Sequence, residues 1–304
     1  MKYWIEAIRP KTLPAAIAPV MLGSALGIKE LNFSNSLAID LRVIAIITIT
    51  AITALLLQIT TNLINDYYDC KSGIDGEDRL GPKRVTQSGL ISAENVKRGF
   101  LFTILLSLCL GVILVMRGGV PILIVGILSI IFAWSYTAGP IPLSHIGLGE
   151  LLALIFFGPV AICGTYFLIT LKFDPFIIFV GLGVGAISSA IMAINNIRDF
   201  ESDSKRGKKT LAVLLGERGG RILPIFFVII SIIIFINYFI NYFMFKNNIF
   251  ILCLLILVFW PSFFRVWRGI LIDPLDRKFN YYLAQTGKYL LYYSILFSIG
   301  IIII

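Results

Sequence analysis

Nine long apolar segments constrain this sequence more than any other feature. Their lengths approach the roughly 17 to 25 residues with which a helix crosses the hydrocarbon core of a bilayer. Only 14% of the residues are charged, against about 25% in soluble domains. The sequence therefore predicts an all-α, polytopic membrane protein with nine transmembrane helices in a single domain, residues 1–304. The segments are Leu13–Ile28, Val43–Ile64, Phe100–Met116, Val120–Ala138, Ile146–Leu171, Pro175–Ile194, Ile222–Phe245, Ile249–Phe264 and Leu283–Ile304.

Lysine and arginine are distributed unevenly between alternate loops. When successive loops are assigned to alternate sides of the membrane, 21 of the 26 lysines and arginines fall on the side of the N-terminus. Cytoplasmic loops carry such an excess, so we expect the N-terminus and the two long polar loops, residues 65–98 and 195–221, in the cytoplasm. The same excess accounts for the net charge of +9 without a nucleic-acid partner. Because no transit peptide is recognisable, we expect a bacterial inner membrane.

The two long cytoplasmic loops begin with related phrases at the end of an apolar segment. Residues 64–69 read INDYYD, and residues 194–199 read INNIRD. If the helices continue past the membrane surface, each presents one polar stripe, because residues three, four and seven apart share a helical face. The first stripe is Asn62, Asn65, Asp66 and Asp69, with Asp75 expected on the loop that follows. The second stripe is Asn196, Asp199 and Asp203.

These stripes combine carboxylates with amides and contain neither histidine nor cysteine. Oxygen ligands of this kind suit Mg²⁺, which takes one or two carboxylates per ion together with phosphate oxygens of a substrate. An internal salt-bridge network or a solvated face is the alternative, although such a network does not need asparagines at helical spacing. The four cysteines stand far apart and indicate neither a zinc site nor a disulfide framework.

Basic residues follow each stripe. Lys83 and Arg84 come after the first stripe, and Lys208 and Lys209 come after the second. Placed over one pocket, they would neutralise the charge that builds on a diphosphate as its bond to carbon breaks. For any one of them, the alternative is that it only fixes the orientation in the membrane.

The phrases Asn65-Asp66-x-x-Asp69 and Asp199-x-x-x-Asp203, on nine apolar segments, resemble the UbiA superfamily of intramembrane prenyltransferases. Three further stretches are similar to the members that use 1,4-dihydroxy-2-naphthoate in menaquinone biosynthesis. They are RPKTLPAAIAPVMLGSA at 9–25, YTAGPIPLSHIGLGE at 136–150 and NNIRDFESDSKRGKKTLAVLLG at 195–216.

The resemblance implies a Mg²⁺-dependent reaction of two substrates inside the bilayer. A polyprenyl group would pass from polyprenyl diphosphate to 1,4-dihydroxy-2-naphthoate, with loss of CO₂ and diphosphate, and demethylmenaquinol would form. The helices would surround a central cavity capped on the cytoplasmic side. The implied metal ligands are Asn65, Asp66, Asp69, Asp75, Asp199 and Asp203.

The candidate functional residues fall into two further sets. The candidate catalytic residues are Asp66, Asp69, Asp199, Asp203, Lys83 and Lys209. The candidate substrate-binding residues are Arg9, Lys11, Asn62, Arg84, Tyr136, Asn196 and Arg198. Whether Arg9 and Lys11 bind the acceptor or the diphosphate stays open at this point. His145 stands where the family has tyrosine, and we interpret it as an interfacial substitute.

Two other classes of protein place carboxylates on membrane helices. Cation-coupled transporters hold them near the bilayer midplane on broken helices, whereas these clusters lie at helix ends beside basic loops. Phosphatidyltransferases of the CDP-alcohol type carry a D-x-x-D-G-x-x-A-R phrase that this sequence lacks. Within the UbiA superfamily, 4-hydroxybenzoate or homogentisate as the acceptor is the alternative.

Overall fold

The computed structural model describes residues 2–33, 40–72, 80–82, 84–246 and 262–303, which form helices and no strand. We number the helices α1 (Lys2–Ile8), α2 (Pro14–Phe33), α3 (Leu41–Ser72), α4 (Ala93–Ser135), α5 (Gly149–Ile155), α6 (Ala161–Thr170), α7 (Pro175–Arg198), α8 (Phe200–Lys205), α9 (Leu211–Lys246), α10 (Ser262–Ile272) and α11 (Phe279–Ile303). Short 3₁₀ turns at Pro10–Thr12 and Leu143–His145 and a π turn at Phe156–Val160 join some of them.

Six helical segments of the described chain are long and apolar enough to cross a bilayer, and the bent pair α1 and α2 would make a seventh. The chain is therefore a multi-pass membrane protein. Of the nine segments predicted from the sequence, Phe100–Met116 and all but the last three residues of Val120–Ala138 fall within α4, which is interrupted at Gly119 (φ 65°, ψ −151°). Most of the segment Ile249–Phe264 lies outside the described residues.

The centre of the molecule is α7. Val180, Val184 and Ile187 on this helix are fully buried and belong to one apolar cluster with Leu22 of α2 and Phe235 of α9. A helix that is apolar on most of its faces is typically buried, either by other helices or by lipid. Since α7 is surrounded by helices, it provides the fixed element at whose end the second polar cluster sits.

Helices α3 and α4 form an antiparallel pair beside this centre. Leu63 and Ile64 of α3 pack with Val96 and Phe100 of α4 near the first polar cluster. The outer face of α4 exposes apolar side chains such as Phe102 and Met116, as expected of a surface in contact with lipid. The polar end of α3 is therefore held by a partner helix.

Close backbone contact joins α7 to the broken helix formed by α5 and α6. At Gly158 the backbone leaves the helical conformation (φ −113°, ψ −109°), just before Pro159. A Cβ atom at Gly158 would lie 2.6 Å from the carbonyl oxygen of Gly181, and one at Gly185 would overlap the carbonyl of Leu154. Small residues let membrane helices approach closely, so these glycines set the distance between α7 and α5.

Replacing Gly185 with alanine is expected to destabilise the protein. Because the backbone of α5 cannot yield as a flexible side chain can, we expect a loss of roughly 1 to 3 kcal/mol, typical of overpacked cores. The thermal denaturation temperature in detergent measures this loss. Gly111→Ala is the matched control, since its Cβ would meet no atom within 4 Å. An equally stable Gly185→Ala variant would show that the helices separate at no cost.

Candidate functional site

A cavity of about 480 Å³ lies among α2, α3, α4, α6 and α7. Its two ends differ in chemistry. The polar end is lined by Arg9, Asn62, Asn65, Arg84, Tyr136 and Asn195. The other end is lined by apolar side chains, among them Leu114, Val115, Ile122 and Leu168. Residues of both polar phrases, Asn65 and Asn195, thus face the same space.

The first polar cluster sits on the last turns of α3, which continues to Ser72 and so confirms the predicted helical stripe. Asp66 is 2% exposed and accepts hydrogen bonds from the backbone N–H groups of Val85 (3.2 Å) and Thr86 (3.1 Å). Asp69 is also buried and forms an ion pair with buried Arg84. The two carboxylates therefore hold the polar loop after α3 against the helix.

The two asparagines of this stripe connect it to the bend between α1 and α2. Asn62 donates hydrogen bonds to the carbonyl of Ile8 (2.8 Å) and to Thr12 Oγ1 (3.0 Å). Asn65 accepts a long hydrogen bond from Arg9 (3.5 Å). Arg9 has left-handed backbone angles (φ 54°, ψ 70°), and non-glycine residues adopt this conformation mainly where the surroundings enforce it. Asn62 thus anchors the turn that presents Arg9 to the cavity.

The spacing of Asn196, Asp199 and Asp203 predicts one continuous helical stripe, but the structure shows a break in the second cluster. Helix α7 ends at Arg198 and α8 begins at Phe200, with Asp199 outside helical geometry (φ −93°, ψ 11°). Adjacent residues of a regular helix point about 100° apart. Here Arg198 Nε donates to Asp199 Oδ1 at 2.9 Å, and Nη2 donates to Oδ2. The break in the helix allows this bidentate pair between neighbours.

Asp203 completes the second cluster from α8. It is 6% exposed, and Lys208 Nζ lies 3.2 Å from its carboxylate. Burial raises the pKa of Asp203, while Lys208 acts in the opposite direction. Lys209, the residue selected from the sequence, has an exposed side chain, and its backbone N–H bonds to the carbonyl of His145 (2.8 Å). The structure therefore brings Lys208 to this carboxylate.

Arg198 links the second cluster to distant parts of the chain. Its side chain is 2% exposed, and besides Asp199 it donates to Asn195 (2.9 Å) and to Asn280 of α11 (2.8 Å). Asn280 in turn donates to the carbonyl of Leu80, in the loop after α3 (2.9 Å). Sequence reasoning missed Asn280, because 200 residues separate it from Leu80 and no local pattern marks it.

Tyr136 and Glu150 lie between the two clusters. Tyr136 directly follows the last residue of α4, and its side chain with the phenolic hydroxyl group lines the polar end of the cavity. That hydroxyl donates to the sulfur of Met192 on α7 (3.1 Å). Glu150 is 1% exposed and accepts a hydrogen bond from Asn196 (2.9 Å). The sequence marked Asn196 but not Glu150, which holds it.

The remaining residues selected from the sequence lie at the edge of the site or outside the described part of the chain. The side chain of Lys11 is exposed. Burial, followed by the charge of Lys208, lowers the pKa of His145, so the imidazole stays neutral near pH 7 beside the second cluster. Asp75 and Lys83 lie outside the described residues.

The donors at the polar end fit Mg²⁺ in one particular way. Among the described residues, no three histidine, cysteine, aspartate or glutamate side chains come together as a metal cage. The donors are instead amide and carboxylate side chains of α3, α7 and α8. The amides of Asn62, Asn65 and Asn195 line the cavity, whereas Asp66, Asp69 and Asp203 are buried beside it, outside its lining. Magnesium is commonly held by one or two carboxylates while a substrate phosphate supplies further oxygens. The donor set fits a Mg²⁺ ion shared with a bound phosphate group and does not fit an all-protein site.

Comparison with known proteins shows the family to which the chain is related. Residues 17–294 match the UbiA prenyltransferase family. The chain is 34% identical to 1,4-dihydroxy-2-naphthoate octaprenyltransferase of Haemophilus influenzae over 100% of this chain and 96% of that protein. The Escherichia coli protein of the same name is 39% identical over 72% of this chain and 70% of its own length. A UbiA homolog from Archaeoglobus fulgidus, solved with DMAPP and Mg²⁺, shares the fold (TM-score 0.62, 15% identity, 99% of both chains covered).

Replacing Asn280 with alanine is expected to loosen the loop after α3. The change leaves the Leu80 carbonyl and one Arg198 donor without their partner, and an unsatisfied buried group costs roughly 1 to 3 kcal/mol. We expect faster hydrogen exchange in residues 84–91 and a lower denaturation temperature. Asn280→Asp still accepts from Arg198 but cannot donate to Leu80, so exchange should rise there too, with less loss of stability.

The neighbouring exposed residue provides the control for this experiment. Tyr281→Phe removes a hydroxyl from a side chain that is 56% exposed, and both exchange and stability should match those of the wild type. Unchanged exchange of residues 84–91 in Asn280→Ala would contradict the link between α11 and the loop.

Proposed function

The chain belongs to the UbiA prenyltransferase family, and we propose that it transfers a polyprenyl group from polyprenyl diphosphate to 1,4-dihydroxy-2-naphthoate, giving demethylmenaquinol, CO₂ and diphosphate. One observation carries this proposal. A single cavity joins a polar end, which both aspartate phrases flank, to a long apolar end. A diphosphate with an apolar tail has the same two-part chemistry. The names of the relatives from Haemophilus influenzae and Escherichia coli support the acceptor.

The four aspartates would hold Mg²⁺ together with the diphosphate. Asp66 and Asp69 approach from α3, and Asp199 and Asp203 approach from the end of α7 and from α8. Asn65, whose Oδ1 accepts a hydrogen bond from Arg9, would add an oxygen on the first side, and Asp75 stays a prediction. When bound, Mg²⁺ neutralises the diphosphate and stabilises the charge that it gains as the bond to carbon breaks.

The basic residues of the site have a second role once diphosphate is present. In the structure, Arg84 and Lys208 pair with Asp69 and Asp203. If Asp69 and Asp203 held the metal, Arg84 and Lys208 would need new anionic partners, which phosphate oxygens would provide. Each cation then strengthens its contact as negative charge develops on the leaving group. Lys83 and Lys209 stay predictions for the same role.

Aromatic side chains lie next to the reacting carbon in this arrangement. Tyr136 lines the polar end, and Phe132, one turn below it, packs against Phe156 with ring centroids 5.0 Å apart. The faces of such rings attract cations, so they would stabilise an allylic cation in a pocket that excludes water. Tyr67 and Tyr68 pack with Phe100 and Trp134 outside the cavity lining.

The acceptor would bind with its carboxylate towards Arg9. Arg9 lines the cavity, whereas Lys11 is exposed, so the structure favours Arg9 for this role. The carbon–oxygen bond of the donor breaks, and its electron pair leaves with diphosphate. The ring carbon that carries the carboxylate then forms the new carbon–carbon bond. Loss of CO₂ returns the electron pair of the broken bond to the ring, and aromaticity is restored.

We also propose the topology that the sequence predicts. Nine spans would form a single domain over residues 1–304, with the N-terminus and both site loops in the cytoplasm of a bacterial inner membrane. The family match over residues 17–294 and the excess of basic residues on one side support it. The loop at residues 84–91, held by Asp66 and Asp69, would contribute the cytoplasmic cap of the cavity.

The acceptor and the chemistry can be tested together. Purified protein is incubated with geranylgeranyl diphosphate, Mg²⁺ and one of three acceptors: 1,4-dihydroxy-2-naphthoate, 4-hydroxybenzoate or homogentisate. We expect diphosphate release and the mass of a decarboxylated prenyl naphthoquinol with the first acceptor. Asp69→Asn should lower the rate by about 100-fold or more, the scale on which loss of one electrostatic contact acts. Glu94→Gln is the control, since Glu94 is an exposed acid at the start of α4.

Three results would contradict the proposal. A product that retains the carboxylate would exclude decarboxylative transfer. Faster turnover of 4-hydroxybenzoate or homogentisate would assign another acceptor. No diphosphate release with any acceptor would exclude a prenyltransferase of these substrates.

A further inference from the structure

Three glycines of the cavity wall face open space. Gly111, Gly126 and Gly164 all line the cavity, and a Cβ atom at any of them would meet no atom within 4 Å. Other helical glycines of this protein are different. At Gly23, for example, a Cβ would lie 2.8 Å from Thr165 Cβ. Close packing therefore explains Gly23 but does not explain these three.

The three glycines lie at one level of the cavity. Gly111 precedes Leu114 by three residues, Gly126 follows Ile122 by four and Gly164 precedes Leu168 by four, so each is about one helical turn, roughly 5.4 Å, from its partner. Leu114, Ile122 and Leu168 are buried against one another and line the apolar end. We call the glycines the collar and this leucine–isoleucine cluster the floor.

Glycine is an unfavourable choice at these positions on local grounds. In a helix it is about 1 kcal/mol less favourable than alanine, and here the space would accept a methyl group. All three collar residues lie within helical segments, Gly111 and Gly126 on either side of the break in α4 and Gly164 in α6. What the glycines provide is width inside the cavity.

The depth of the collar can be compared with the length of a prenyl tail. Along α4, Gly126 lies ten residues from Tyr136 and Ile122 lies fourteen, about 15 and 21 Å at 1.5 Å per residue. With carbon–carbon bonds of about 1.5 Å, an extended geranyl tail spans roughly 9 Å and a geranylgeranyl tail roughly 19 Å. If the reacting carbon lies beside Tyr136, the shorter tail ends above the collar and the longer tail passes through it towards the floor.

We propose that the collar determines which prenyl tails the cavity admits. The three glycines leave room for a tail to reach the floor, and any large side chain at this level would stop the tail at the depth of a short donor. This inference rests on the proposed function, because it takes the apolar end as the binding site of the donor tail. It assigns chain-length specificity to three residues that the sequence analysis did not select.

The test compares two donors on the same protein preparation. Gly111→Phe, Gly126→Phe and Gly164→Phe are each assayed with geranyl diphosphate and geranylgeranyl diphosphate, with 1,4-dihydroxy-2-naphthoate and Mg²⁺ unchanged. We expect the ratio of kcat/KM for the longer donor to that for the shorter donor to fall at least tenfold. Because the ratio comes from one preparation, the amount of folded protein cancels.

Two further variants distinguish a narrower cavity at the collar from a general effect of substitutions in α4. Ile124→Phe enlarges a side chain that is 52% exposed and outside the cavity lining, so its ratio should equal that of the wild type. Gly126→Ala adds only a methyl group, and most of the turnover of the longer donor should remain. If the ratio of kcat/KM for the two donors is unchanged in all three phenylalanine variants, whether or not the overall rate falls, the collar does not determine chain-length specificity. Failure of the wild type with both donors would instead refute the proposed function.

Discussion

Burial of negative charge at the C-terminal end of α3 and in α8, which directly follows α7, is the constraint on which the site depends. An isolated carboxylate out of water costs several kcal/mol, yet Asp66, Asp69 and Asp203 are nearly inaccessible. Each is compensated by a different group: backbone amides for Asp66, Arg84 for Asp69 and Lys208 for Asp203. These compensating groups lie on polar loops, so the loops are held over the cavity by the charges that they neutralise.

The same pairing would suit the phosphate ligand that we propose. Arg84 and Lys208 are already paired with Asp69 and Asp203, and a Mg²⁺–diphosphate pair would supply new partners of both signs. Binding would therefore exchange one set of charge contacts for another without leaving a buried charge alone. Arg198 differs from Arg84 because Asn195, Asp199 and Asn280 occupy its donors. It positions the second cluster and joins it to the loop after α3.

Local spacing predicted the parts of this structure that local forces determine. The apolar lengths indicated a helical protein that crosses the membrane several times, and the spacing of Asn62 to Asp69 indicated the stripe on α3, because that helix stays regular. The second stripe is interrupted at Asp199, where the chain leaves helical geometry and Asp199 pairs with the neighbouring Arg198. Asn280 and Glu150 could not be selected from a local pattern, because their hydrogen-bond partners lie far away in sequence. Spacing alone also could not choose between Lys208 and Lys209, which the fold separates.

The central claim is that one diphosphate binds to both aspartate clusters at once. Titration calorimetry with a non-reactive thio analogue of geranyl diphosphate, in Mg²⁺, measures this directly for the wild type, Asp69→Asn, Asp199→Asn and the double variant. If both clusters hold one ligand, each single substitution should weaken binding at least about tenfold, and the double variant should lose less than the sum of the two. Additive losses, or full affinity in either single variant, would contradict the shared site.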